Sequence, residues 1–130
     1  MHRRSNWFVA TTLVVVSGCA TASPTAARQI GPIGFADEVA DGRVAVNVHT
    51  PDEGSISGTD LTIPFDRVAA RAAELPSDRD TPLAIYCMTG RMSQAAADTL
   101  AGLGYTDIVE LSGGMQAWTA EGLPLDPVGT

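Results

Sequence analysis

Lysine is absent from this chain. All eight basic side chains are arginine, and they face fifteen acidic ones, for a net charge of −7 over 130 residues. That deficit excludes nucleic acid as a partner, because phosphate backbones need clustered positive charge. Cysteine is scarce as well. Two cysteines can neither staple a small scaffold nor fill a four-cysteine metal site. Long hydrophobic runs are missing too: the mostly apolar block from Trp7 to Val16 is ten residues, where a spanning helix needs about 20. The thirteen glycines and eight prolines follow no repeat, so they mark turns rather than a fibre. What remains is 45% apolar, enough for a packed core and too much for wholesale disorder. The length suits one domain.

The amino terminus reads as an address. Met1-His2-Arg3-Arg4 precedes a stretch without charge that lasts until Arg28, the basic-then-apolar order of a secretory signal. Val16-Ser17-Gly18-Cys19 resembles a bacterial lipobox, with Val16 where leucine is usual, which implies lipidation of Cys19 as the mature amino terminus. An ordinary cleaved signal and an uncleaved anchor are the alternatives; Arg3-Arg4 hints at twin-arginine export, but Asn6 does not suit that motif. The expected division is a lipoprotein signal peptide over 1–18, a flexible tether over 19–29 and a folded domain over 30–130. Loss of 1–18 removes two arginines and no acid, leaving six basic against fifteen acidic side chains, a net −9. Such a surface is repelled by anionic headgroups, so attachment to the membrane rests on acyl chains alone. The expected location is extracytoplasmic, at the cell membrane, in a compartment that can be oxidising.

Beyond Ile30 strand and helix patterns alternate. Val44 to Val48 reads as a strand, and Leu61-Thr62-Ile63 as a second short one ended by Pro64. Phe65, Val68, Ala72 and Leu75 recur at helical spacing up to Pro76. Leu83 to Tyr86 is an apolar run suited to a strand buried on both faces. Met92, Ala96, Leu100 and Leu103 predict the next helix, closed by Gly104. Asp107 to Leu111 reads as a strand, Gly113-Gly114 as a turn and Met115 to Glu121 as a short helix ended by Gly122. Leu111 and Trp118 are expected in the core. The alternation predicts an α/β fold with a central parallel sheet and helices on both faces. In such sheets ligands sit beyond the carboxyl ends of the strands.

Cys87 falls at such an end, between the Leu83–Tyr86 strand and the helix that follows. The positive end of a helix dipole and a nest of loop amides both favour thiolate over thiol. Arg91 adds a fixed positive charge in the same turn, Gly90 gives the loop freedom at positive φ, and the Ser93 hydroxyl is placed to cap the helix. The competing readings are a buried small hydrophobe and a disulfide with Cys19, which lipidation would forbid. His49, the one histidine after the leader, reads as a loop residue rather than a general base.

Tyr86-Cys87-x-x-Gly90-Arg91-x-Ser93, then Leu100, Gly104-Tyr105, Leu111-x-Gly113-Gly114-x-x-x-Trp118 and Gly122-x-Pro124, together resemble a single-domain rhodanese. Gly58-Thr59-Asp60 with Ile63-Pro64 resembles the same family upstream, so the likeness runs from about Ile33 to Leu125. The resemblance implies a rhodanese-like fold and a sulfurtransferase. A Cys87 thiolate takes sulfane sulfur from a thiosulfate-, polysulfide- or persulfide-type donor and passes it to a thiol or other nucleophile. That is covalent, ping-pong catalysis with no metal or organic cofactor. The substrate loop it implies is Met88, Thr89, Gly90, Arg91, Met92 and Ser93.

The chain departs from the family where Met92 replaces an arginine five residues after the cysteine and Met88 a cation directly after it. Less charged donors are therefore expected to rival thiosulfate. Asn47-Val48-His49 stands for the family's Asp-x-Arg, which removes a structural ion pair. Phosphatases of related fold need an arginine at the position of Ser93 to clasp phosphate, which excludes that chemistry. The alternative from another class is a catalytically weak module for persulfide sensing or protein docking at the cell envelope. Gly113-Gly114 is turn chemistry, since no phosphate-binding glycine pattern accompanies it.

Overall fold

The computed structural model describes residues 27–129. The expected signal peptide, the lipidation site Cys19 and the tether as far as 26 lie outside the described residues. Five strands form a parallel sheet: β1 (Arg28–Ile30), β2 (Val44–Asn47), β4 (Leu61–Thr62), β5 (Leu83–Tyr86) and β6 (Ile108–Leu111), in the order β1-β6-β5-β2-β4. A separate antiparallel pair joins β3 (Ser55–Ile56) to β7 (Leu125–Asp126). The helices are α1 (Pro32–Ala40), α2 (Arg91–Gly102) and α3 (Gly114–Ala120).

The α/β sheet with helices on both faces expected from the alternation is the architecture observed. β5 lies in the middle and is buried at every position. Its alternation divides the core in two. Leu83, Ile85 and Cys87 pack with Val46, Val48 and the α2 residues Ala96, Ala97 and Leu100. Ala84 and Tyr86 pack with Phe35 of α1 and with Met115 and Trp118 of α3. Leu111 and Trp118 are core residues, as their sequence context predicts. Phe35 meets both Tyr86 and Trp118 edge-on, at 6.0 and 6.4 Å between ring centres. The Tyr86 hydroxyl accepts from the Ile56 amide at 3.0 Å, which fixes the β3–β7 pair against the sheet.

The sheet begins at Arg28, inside the stretch expected as tether, because Arg28, Gln29 and Ile30 pair in register with Val109, Glu110 and Leu111. The helix expected over 65–75 does not form. That segment is a chain of turns ending in a 3-10 turn at Ala72–Glu74, with bonds from Arg67 N to Pro64 O and from Leu75 N to Ala72 O. Val68 and Leu75 are still buried, with Phe65 and Ala72 half-buried beside them. The apolar face is thus met by a tighter winding, since packing outranks helix propensity in a short connection. α1 has no counterpart among the elements expected from the sequence, although Pro32 holds its first position and Phe35, Ala36 and Val39 supply its inner face. α2 ends at Gly102, with Gly104 following at φ +99°.

One acid sits in the core. Glu110 of β6, in register with Ile85, is 5% exposed and its Oε1 has no partner among the described residues. Burial pushes its carboxyl above the usual range, the Ser93 side chain offsets part of that, and Asp98 adds repulsion. A carboxyl that binds its proton more tightly when folded stabilises fully below the ordinary carboxylate range. That contribution is lost as pH rises from there through the raised value. Glu110→Gln therefore melts higher than the parent at neutral pH, with the gain shrinking toward zero as acid protonates the parent, read by thermal unfolding at a series of pH values.

Candidate active site

The carboxyl edge of the sheet is where β5 delivers Cys87. The chain leaves the strand, turns through Met88, Thr89 and Gly90, and enters α2 at Arg91. Gly90 is the residue before the helix and lies at φ +106°, ψ −14°, a left-handed conformation that side chains other than glycine's resist. This turn brings two amides onto one sulfur. Cys87 Sγ accepts from Gly90 N at 3.0 Å and from Ser93 N at 3.4 Å. Cys87 is a free cysteine and 1% exposed.

Ser93 does not cap α2. It lies within the first turn, fully buried, and its hydroxyl donates to Gly90 O at 3.1 Å. The cap position is Gly90, which carries no side chain to do that work. Ser93 thus serves the sulfur through its backbone amide and braces the loop through its hydroxyl. Arg91 is exposed and lines the cavity beside Cys87, while the hydrogen bonds on Sγ come from backbone amides.

A cavity of about 260 Å³ opens at the sulfur, lined by His49, Cys87, Met88, Thr89, Arg91 and Met92. Its wall is almost wholly apolar. The expected loop residues therefore gather at one place, except that Gly90 and Ser93 act beneath the sulfur rather than in the lining.

Two features escaped the sequence reading. The first is a clasp. Met115 N donates to Cys87 O at 2.8 Å and Gln116 N to Met88 O at 3.0 Å, so the start of α3 holds the loop from behind. Gly114 makes this approach possible: at φ +61°, a Cβ there would lie 2.4 Å from Met88 C and 2.5 Å from Cys87 O. A glycine pair directly after a buried strand was the available signal.

The second feature is His49. It sits on the loop beyond β2, yet it is 8% exposed and lines the cavity with Cys87. Its Nε2 donates to Glu53 Oε2 at 2.5 Å. Asn47 shapes that loop, accepting from His49 N at 3.0 Å and donating to Gly54 O at 3.2 Å. The spacing of His49 and Glu53 just past a strand's carboxyl end was the readable clue.

A free sulfur held by amide donors at the floor of a cavity can be an anionic nucleophile, since charge-assisted hydrogen bonds favour the charged form. The rhodanese-like domain family model matches residues 35–121, which spans this whole site. A sulfurtransferase of Allochromatium vinosum is 37% identical over 83 residues, covering 62% of this chain and 75% of that protein. The thiosulfate sulfurtransferase GlpE of Ectopseudomonas mendocina is 28% identical over 93 residues, covering 72% of this chain and 85% of that one. Among solved structures, a rhodanese-related protein from Thermoplasma volcanium superposes with a TM-score of 0.65 at 31% identity, covering 75% of this chain and 96% of its own.

The clasp makes a prediction. Gly114→Ala adds both positive-φ strain and a backbone clash, whereas Gly90→Ala adds the strain alone, its Cβ having 3.8 Å of clearance to Gly113 N. Both destabilise by more than about 1 kcal/mol in denaturant unfolding, and Gly114→Ala costs more.

Proposed function

Because the chain belongs to the rhodanese-like domain family, we propose that it is a sulfurtransferase in which Cys87 carries sulfur as a persulfide. The observation that carries this reading is the free Cys87 sulfur, held by the Gly90 and Ser93 amides at the floor of an open cavity. The relatives named as sulfurtransferases support the same chemistry.

In the first half-reaction the Cys87 thiolate attacks the outer sulfur of the donor. The donor's S–S bond breaks and its electron pair leaves with the remainder of the donor. In the second, an acceptor nucleophile attacks the outer sulfur of the persulfide. The Sγ–S bond breaks and its pair returns to Cys87, so no external oxidant or reductant is consumed. The two amides serve every anionic state of the sulfur and need no rearrangement between steps.

The lining argues for the donor class. Met88 and Met92 supply apolar, adaptable surface, and Arg91 is the permanent cation beside them. A dianion such as thiosulfate loses more hydration on entry than one such cation returns, whereas a singly charged hydropolysulfide or low-molecular-weight persulfide loses less. We therefore place polysulfide- and persulfide-type donors ahead of thiosulfate, with a thiol or other nucleophile as acceptor. The same shortage of charge favours the second reading, a module that binds persulfides or a protein partner without turning over. The leader pattern supports an exported lipoprotein at the cell membrane, acylated at Cys19 and attached by its lipid alone.

Steady-state kinetics with paired donors and acceptors test this. Parallel lines in double-reciprocal plots, a higher kcat/KM for a persulfide donor than for thiosulfate, and no turnover by Cys87→Ser are expected. Binding without turnover in the parent supports the sensing module instead, and equal turnover in parent and Cys87→Ser contradicts both readings. Expressed in bacteria, the full chain partitions with membranes and Cys19→Ala does not; equal partitioning contradicts the lipid anchor.

A further inference from the structure

Buried polar atoms in folded proteins are nearly always paired, and His49 Nδ1 is an exception. It is buried and has no hydrogen-bond partner among the described residues. The other ring nitrogen is committed, because Glu53 as a carboxylate can only accept, so Nε2 carries the hydrogen of their 2.5 Å bond. Nδ1 is thereby left as a lone pair without a donor, on a residue that shares the cavity with Cys87. The charged neighbours of the ring are Glu53 at Nε2, with Cys87 and Arg91 around the cavity.

The geometry points to His49 as the base that takes the proton of the acceptor thiol, with Glu53 a positioning residue that fixes the tautomer. This rests on the sulfurtransferase reading above and assigns its acceptor: a protonated thiol rather than an anion. The cavity offers a neutral, apolar-bodied thiol the contacts it needs, through Met88 and Met92. An entering R–SH gives its proton to Nδ1. The thiolate attacks the outer sulfur of the Cys87 persulfide as the Sγ–S bond breaks, its electron pair returning to Cys87. Nδ1 returns the proton to the new persulfide, which leaves as R–S–SH. The balance is CysS–S⁻ plus RSH giving CysS⁻ plus RSSH, with the imidazole restored. A carboxylate holding one imidazole nitrogen so that the other acts as base is the arrangement that general-base catalysis calls for.

The test takes the ratio of variant to parent for each of two acceptors, one with a thiol proton to lose and one without. The full chain is loaded with sulfur from polysulfide, and release is timed in single turnovers. The acceptors are 2-mercaptoethanol, protonated at neutral pH, and 4-nitrothiophenol, which is already ionised there. His49→Gln slows release to 2-mercaptoethanol by roughly 100-fold while changing release to the ionised acceptor by no more than about twofold. Added imidazole restores the first rate in His49→Ala. Glu53→Gln shows the same contrast with a smaller loss and carries the test should the histidine variants not fold. Equal losses with both acceptors, or none with either, overturn the assignment. A parent chain that neither loads nor releases sulfur overturns the sulfurtransferase reading itself.

Discussion

Two backbone amides converging on one sulfur atom are the constraint around which this domain is arranged. Gly90 N and Ser93 N reach Cys87 Sγ only because the chain turns from strand to helix within four residues, and that turn needs the left-handed backbone of Gly90. Both donors aim at the sulfur, so a negative charge that arises there in the reaction meets two hydrogen bonds already in place. The donors are backbone atoms, one on the residue before α2 and one in its first turn, where helix amides have no partner in the helix itself. They cannot swing away from the sulfur as a long side chain can. Charge at this site is thus handled by fixed dipoles, and the arginine nearby is left to the exposed rim.

The rest of the fold keeps that turn in register. β5 is flanked by β2 and β6 and buried along its length, so the position of its last residue is set by both neighbours. Strand alternation then sends Cys87 toward α2 and Tyr86 toward α1 and α3, with no adjustment at the site itself. The carbonyls of Cys87 and Met88, which would otherwise be unpaired at the strand's end, are taken by the first amides of α3. One helix start therefore faces the sulfur and another holds the backbone behind it. Gly90 and Gly114 are the positions on which this double approach depends, Gly90 for its left-handed backbone and Gly114 for that and for the space a Cβ would fill.

Much of this was legible in the sequence, and the divisions between what was and was not are physical. The strand–cysteine–glycine–helix order reads directly, because local hydrophobic pattern and turn chemistry agree there. The 65–75 segment carries a helical pattern, yet the pattern reports only which side chains are buried. Val68 and Leu75 meet the core through turns just as well. β1 and α1 leave little trace in the sequence because three residues of edge strand and a nine-residue helix give weak periodicity. The residue type of Ser93 suggests a cap, whereas its place three residues after Gly90 puts it inside the first turn. The role of His49 was the hardest to see. Nothing in a linear reading brings the loop after β2 over the end of β5; the parallel pairing of those strands does.

The central claim is that the sulfur held by Gly90 and Ser93 is a carrier. Intact-protein mass spectrometry with peptide mapping tests it most directly, on the full chain before donor, after donor, and after a thiol acceptor is added. The account predicts a gain of one sulfur atom located on Cys87 after the donor, and its complete loss to the acceptor. A Cys87 that gains nothing, or a disulfide joining it to Cys19, would contradict it.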